Sequence, residues 1–295
     1  MRSPAEQLAP LESIRRLLST HTTKYHLYLR DLRTGAEHEL GREEPYPICS
    51  CFKLAVLAAV FKRMRGAADL EEEVMIPPER FSPGGGVVNY LNSSVTFTIR
   101  QLTRMMMAFS DGTATDLLVN RTGLAAVNDE LRSMAPSSSV TMDLRGMVER
   151  FRAITGSGRS VGDAGRDQVE AGCYSTARDL AALALRSSEL VFPDPEITSP
   201  YHETLRTPQY APRTSYFFKR DYTFVGKTGS FGFGYFMNDC GVIEHESRPI
   251  AVLGYTTQGW RLARTRPPPR TCKPRTAPAA SRTAWSSRRL ARWFP

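Results

Sequence analysis

The sequence predicts an α/β (α+β) fold in which an antiparallel five-stranded sheet, flanked by terminal helices, is interrupted by an inserted all-helical domain. Two observations predict it. Apolar and polar residues alternate, as in half-buried strands, over 24–40 and in three segments between Thr223 and Gln258. Between these regions the apolar residues recur at helical spacing instead. A sheet built from both ends of the chain would therefore flank an inserted helical domain.

Each element of this prediction has a local signal. A first helix is expected after Pro10, and a β-hairpin over 25–40 with its turn at 33–35. The apolar run 48–61 predicts a helix that is buried on every side. Further helices are expected to begin near Thr98, Asp111, Leu124 and Ser175.

One long segment of the helical part lacks such a signal. Residues 141–172 are polar and glycine-rich, which predicts a long loop with at most a short helix at 144–151. The predicted domains are a discontinuous sheet domain, a helical domain and a tail, with the boundaries 1–47 plus 200–260, 48–199 and 261–295.

The net charge of +9 comes from the tail. Residues 261–295 contain ten Lys and Arg and no acidic residue, which leaves 29 basic against 30 acidic residues in 1–260. The near-neutral body gives no indication of nucleic acid binding. Three interpretations of the tail stay open: a disordered basic segment, a nucleic-acid or membrane patch, or a segment foreign to the fold, such as an out-of-frame GC-rich message would encode.

The cysteines and histidines indicate the cellular compartment and whether a metal site is expected. The five cysteines are odd in number and form no Cys-x-x-Cys motif, which favours reduced thiols in a cytosolic protein. The five histidines show no metal-ligand spacing. No apolar run approaches the ~18 residues of a membrane span, and no secretory signal is visible. We therefore expect a cytoplasmic, monomeric protein with a small-molecule substrate and no cofactor, metal or membrane partner. No nucleic acid partner is expected apart from a weak effect of the tail.

Ser50 and Lys53 stand one helical turn apart at the start of the buried helix. Positions i and i+3 share a helix face, so the amine can reach the hydroxyl. Burial disfavours the charged form of a lysine, and backbone N–H groups at a helix start stabilise negative charge. A serine nucleophile can be built in this way without a histidine. The alternative is a capping serine beside a lysine whose amine reaches solvent.

Two further motifs follow in order. Ser110-Asp111-Gly112 falls between two predicted helices, and Lys227-Thr228-Gly229-Ser230 lies on the first of the three C-terminal strands. Ser-x-x-Lys, Ser-Asp-Gly and Lys-Thr-Gly in this order resemble the class A β-lactamase and penicillin-binding protein superfamily. The similarity covers roughly residues 5–258 and leaves out the tail.

The resemblance implies a β-lactamase/transpeptidase-like fold with its site between the helical domain and the sheet. In this superfamily the serine matching Ser50 attacks the substrate carbonyl, and the lysine matching Lys53 takes the proton of that serine. The serine matching Ser110 relays a proton to the leaving group, helped by the lysine matching Lys227. The implied substrate-binding residues are Thr228, Ser230, Gly229 and Gly112, and the implied oxyanion hole consists of the backbone N–H groups of Ser50 and Ser230.

The sequence also departs from the superfamily. Class A β-lactamases carry a loop glutamate, with an asparagine four residues on, that activates the hydrolytic water. In the matching region 142–174 neither Glu149 nor Glu170 has an asparagine at that spacing, so no deacylating glutamate is assigned. Gly112 stands where the family often has an asparagine whose side chain contacts the substrate and the lysine.

Three functions remain open on the sequence. The first is a β-lactamase-like serine hydrolase that acts on a β-lactam or a related amide or ester. The second is an intracellular biosynthetic amidase, acyltransferase or esterase that uses the same acyl-serine. The third is a domain that is acylated once and holds the adduct, as a penicillin sensor or sink.

Overall fold

The structure is a computed structural model that describes residues 12–16, 24–209, 213–217, 221–232 and 234–259. The predicted tail 261–295 lies outside these residues, as do parts of the predicted first helix, of which residues 12–16 (α1) are described and helical.

The described elements follow the predicted order of strands, helices and strands. The strands are β1 (Lys24–Asp31), β2 (Glu37–Gly41), β3 (Tyr46–Pro47), β4 (Glu73–Ile76), β5 (Val95–Thr98), β6 (Tyr174–Ser175), β7 (Tyr222–Phe231), β8 (Phe236–His245) and β9 (Arg248–Gln258). The helices that follow α1 are α2 (Lys53–Lys62), α3 (Ile99–Ala108), α4 (Gly112–Thr122), α5 (Leu124–Met134), α6 (Leu144–Gly156), α7 (Val161–Glu170), α8 (Ala177–Ser188) and α9 (Pro195–Leu205).

Five of the strands form one antiparallel sheet in the order β2-β1-β9-β8-β7. The first strand pairs with the last, so the sheet joins both ends of the described chain, as predicted. β7 lies at the edge, where one side of its backbone has no neighbouring strand within the described sheet. The predicted fold class is confirmed.

The core forms around α2 and the face of the sheet that carries α8. Every residue of α2 from Lys53 to Phe61 is buried, and the helix packs against α4, α5 and α8. Helix α8 begins directly on β9, because a methyl group added to Gly254 would lie 1.8 Å from the carbonyl oxygen of Ala177. The contact holds the helical part against the sheet.

Two features differ from the sequence prediction. The predicted loop 141–172 contains two helices, which begin at the capping residues Asp143 and Ser160. The first, α6, includes the short helix predicted at 144–151 and continues to Gly156, whereas α7 was not predicted. The ion pair between Arg150 and Asp167 joins them. The helical part also contains two small two-stranded sheets, β3–β6 and β4–β5, whose strands are too short to show a periodicity.

The predicted domain boundaries stay a prediction. The described part of the chain contains no helix with the length and hydropathy that a membrane crossing requires.

Candidate active site

Ser50 lies on a short 3-10 turn, Cys49–Phe52, that leads directly into α2. The chain enters this turn through Cys49, whose φ of 51° is in the left-handed region that side chains other than glycine rarely adopt. Asn238 on β8 holds the turn, since its Nδ2 donates to the carbonyl oxygens of Pro47 (2.8 Å) and Ile48 (2.9 Å). Ser50 is half-buried while its neighbours Cys49 and Cys51 are buried, so the turn presents the serine at the surface of the core.

Lys53, one turn further on, is fully buried. Its Nζ donates to the carbonyl oxygen of Ser110 at 2.7 Å and to Ser110 Oγ at 2.8 Å. Burial lowers the pKa of Lys53 well below its usual value, and the nearby charge of Lys227 lowers it further. Asp111 and Asp116 act in the opposite direction with smaller effect. The site therefore disfavours the charged form of the amine, compared with a lysine exposed to water.

Ser110 occupies the sharp turn between α3 and α4, with a φ of 56°. Asp111 caps α4, since its Oδ1 accepts from the N–H of Ala114, and its Oδ2 accepts from the N–H of Val88. The sequence indicated a capping role for Asp111, and the geometry agrees.

Gly112 is buried beneath the glycine loop 84–86. Its N–H donates to the carbonyl oxygen of Gly85 at 2.8 Å, and an added methyl group would lie 2.7 Å from that oxygen. The asparagine that the family often has at this position would not fit here without moving the loop. The structure thus gives the departure at Gly112 a packing reason.

Strand β7 brings the third motif against the nucleophile turn. A methyl group added to Gly229 would lie 2.9 Å from the backbone nitrogen of Ser50 and from Cys49 Cβ, so the strand passes Ser50 as closely as a glycine allows. Lys227 is buried, and burial lowers its pKa to about 8. Thr228 is buried as well, whereas Ser230 is exposed.

The structure brings together most of the residues that the sequence singled out. Lys53 contacts Ser110 directly, and Gly229 contacts the Ser50 backbone. Two expected contacts are absent among the described residues: the hydrogen bonds of Lys53 Nζ go to Ser110 rather than Ser50, and those of Lys227 Nζ go to Thr228 and Gln209 rather than Ser110.

Sequence reasoning missed Gln209 and Asn238, both of which bind site residues. Gln209 follows α9, and its side-chain amide hydrogen-bonds to Gly226, Lys227 and Thr228 on β7. Neither residue belongs to a motif, and each acts on a segment that is distant in sequence. No sequence signal for either exists in a single chain.

The two glutamates considered for deacylation are both exposed. Glu149 lies on α6 and pairs with Arg145 on the same helix, and Glu170 ends α7. Beside Ser230, a cavity of about 390 Å³ lies between β7 and α6 and is lined in part by Val148, Phe151 and Phe231.

Comparisons with known proteins identify the family. A family model described as the β-lactamase enzyme family matches residues 9–273.

The chain belongs to the β-lactamase enzyme family.

Solved structures of the family share the fold at low sequence identity. A β-lactamase from Sphaerobacter thermophilus DSM 20745 is 19% identical with a TM-score of 0.64, over 85% of this chain and 89% of that one. A β-lactamase from Burkholderia vietnamiensis is 17% identical with a TM-score of 0.66, over 84% and 89%. A point mutant of PBP-A, described as an acyl-enzyme complex with penicillin G, is 20% identical with a TM-score of 0.64, over 84% and 86%. A comparison with curated proteins returned no match.

Proposed function

We propose that this β-lactamase-family protein is a serine acyl-hydrolase, in which Ser50 forms a covalent acyl-enzyme with a β-lactam or a related amide or ester. One observation carries the proposal: the buried amine of Lys53, one helical turn from Ser50, donates hydrogen bonds to the carbonyl oxygen and the Oγ of Ser110. That arrangement provides a base and a proton route without a histidine.

The protonation state of Lys53 supports its role as the base. A neutral amine has two N–H donors and one lone pair. Both donors can be used on Ser110, at 2.7 and 2.8 Å, which leaves the lone pair available for the Ser50 proton. Because burial lowers the pKa of Lys53, the neutral form needed for this step is more accessible than in a lysine exposed to water.

The leaving group would receive its proton from Ser110. Ser110 Oγ accepts a hydrogen bond from Lys53 and keeps its own O–H to donate. As Ser110 protonates the departing nitrogen or oxygen, the proton that Lys53 took from Ser50 replaces the one that Ser110 gives up. The net result is transfer of the Ser50 proton to the leaving group.

The edge of β7 would stabilise the negative charge that develops on the substrate carbonyl. Successive residues of an antiparallel strand direct their N–H groups to opposite sides. The N–H of Thr228 points outward, to Gln209, so by alternation the N–H of Ser230 points outward as well. Since Gly229 lies against the Ser50 nitrogen, the N–H groups of Ser50 and Ser230 are suitably placed to form an oxyanion hole.

A slowly deacylating enzyme is the second candidate, and the exposed glutamates favour it. Glu149 is ion-paired within α6 and Glu170 lies at the end of α7, and both carboxylates are exposed rather than held in the site. We therefore expect acylation to be faster than deacylation, with accumulation of the acyl-enzyme.

Intact-mass analysis during incubation with benzylpenicillin tests both candidates, with the Ser50→Ala variant as the control. We expect a one-to-one adduct on the wild-type protein and none on the variant. Loss of the adduct after the penicillin is exhausted indicates hydrolysis, whereas persistence indicates a holding role, and faster loss with an added amine indicates acyl transfer. An adduct that survives Ser50→Ala would refute the nucleophile assignment.

A further inference from the structure

The side-chain amide of Gln209 binds two outward-facing backbone groups at the edge of β7. Its Nε2 donates to the carbonyl oxygen of Gly226 at 2.8 Å, and its Oε1 accepts from the N–H of Thr228 at 2.8 Å. Both backbone groups face away from β8, so they are groups that a further strand at this edge would otherwise bind. Gln209 thus fills an edge position that the described sheet leaves without a strand.

The same amide oxygen also accepts hydrogen bonds from two side chains. Gln209 Oε1 accepts from Thr228 Oγ1 at 2.9 Å and from Lys227 Nζ at 3.2 Å. A threonine hydroxyl has a single proton, so while it is donated to Gln209 it is not available to another acceptor. In the superfamily that the sequence resembles, the residues matching Thr228 and Ser230, with the charge of the residue matching Lys227, hold a substrate carboxylate. Gln209 binds two of these three residues.

We propose that Gln209 is a specificity-determining residue that occupies the carboxylate subsite of this protein and selects against substrates with a negative charge there. An incoming carboxylate has to displace the amide oxygen before the Thr228 hydroxyl can turn to it. A substrate with a neutral group at this position loses nothing by leaving Gln209 in place. The inference rests on the proposed acylation of Ser50 for its functional meaning.

Burial of Thr228 and Lys227 strengthens the competition between Gln209 and a substrate carboxylate for their hydrogen bonds. Thr228 is 8% and Lys227 1% exposed, so little water is present to replace a lost bond. Burial also lowers the pKa of Lys227 to about 8, which weakens its positive charge toward a carboxylate in mildly alkaline solution. Gln209 itself is half-buried.

A matched pair of ligands tests the inference: benzylpenicillin and its methyl ester, which differ in the carboxylate. The quantity measured is the ratio of the second-order acylation rate constants of acid and ester, obtained by intact-mass kinetics on the full chain. Gln209→Ala, and Gln209→Met as a variant of similar length without hydrogen bonds, should each raise the ratio about tenfold, the equivalent of about 1.4 kcal/mol. Gln209→Glu should lower it about tenfold or more, because its charge would repel the acid.

Thr207→Ala is the control, since Thr207 lies two residues away and its hydroxyl donates to the carbonyl oxygen of Glu203 at 3.3 Å. It should leave the ratio unchanged. Circular dichroism establishes that each variant is folded. A ratio that stays within twofold in the Ala and Met variants, or that moves equally in Thr207→Ala, would overturn the inference.

Failure of the proposed function is a separate outcome. If no ligand acylates Ser50, the ratio of dissociation constants for acid and ester is measured by calorimetry in the Ser50→Ala background, with and without Gln209→Ala. A tenfold shift toward the acid in that background supports the role of Gln209 even without acylation. An unchanged ratio, or no binding of the acid in either variant, overturns it.

Discussion

Gly229 sets how closely β7 approaches the nucleophile, and Gly229→Ala should misplace the two against each other. The added methyl group would lie 2.9 Å from Ser50 N, whereas ordinary contacts of a Cβ begin near 3.4 Å. The neighbours at 2.9 Å are a backbone nitrogen and the Cβ of Cys49, neither of which can rotate away. The strand or the turn must therefore move by about 0.5 Å.

This displacement changes catalysis and stability by different amounts. A misplacement of 1 Å between reacting groups can cost about 100-fold in rate, so half of that predicts acylation about tenfold slower. Overpacking of a buried site typically lowers the free energy of unfolding by about 1–3 kcal/mol. Acylation is followed by intact mass with benzylpenicillin, and unfolding by urea titration.

Gly156→Ala is the matched control for this variant, because no atom lies within 4 Å of the methyl group that it adds at the end of α6. It should keep the wild-type acylation rate. If Gly229→Ala acylates at the wild-type rate and unfolds at the same urea concentration, the close approach of β7 to Ser50 is not needed, and the assignment of the oxyanion hole to this strand is wrong.

Three other predictions follow from the charges and contacts of the site. The acylation rate should rise with pH as Lys53 loses its proton and fall above about pH 8 as Lys227 is neutralised. Lys227→Arg should remove the decline at alkaline pH. A rate without pH dependence would refute both roles. Lys53→Met should abolish acylation. The wild type should gain unfolding free energy relative to this variant as pH rises toward the ordinary lysine value of 10.5, because below that pH the unfolded wild type binds a proton that the folded protein disfavours. A constant difference would show that the pKa of Lys53 is not lowered. Asn238→Ala should lower the unfolding free energy by about 1–3 kcal/mol and slow acylation, since the carbonyl oxygens of Pro47 and Ile48 each lose a donor. Asn120→Ala on the exposed face of α4 should do neither.

The error in the sequence prediction at 141–172 has a packing cause. Glycines weaken intrinsic helix propensity, and this stretch is rich in them, so a loop was the natural prediction. In the structure Gly165 lies inside α7 because the ring of Phe236 packs on it, where an added methyl group would come within 1.8 Å. Tertiary contacts override local propensity at this position, and no single-sequence signal distinguishes such a glycine from one in a loop.

Part of the site could likewise be predicted from local sequence patterns, and the rest depends on contacts between segments that are distant in sequence. The spacing of Ser50 and Lys53 on one helix face, and the order of the three motifs, are properties of the sequence, and they sufficed to predict the fold class and to nominate the residues. The approach of Ser110 to Lys53 follows from the turn between α3 and α4, which the sequence placed correctly between two helices.

Three features were readable from the sequence: a serine and a lysine one turn apart on a buried helix, two further motifs in a fixed order, and a sheet built from both ends of the chain. The hydrogen bonds that Asn238 makes just before Ser50, and those of Gln209 at the edge of β7, became visible only in the packed fold. The reason is physical. Periodicity and motif spacing record interactions between residues close in the chain, whereas these hydrogen bonds join segments that meet only when the sheet and the helices pack.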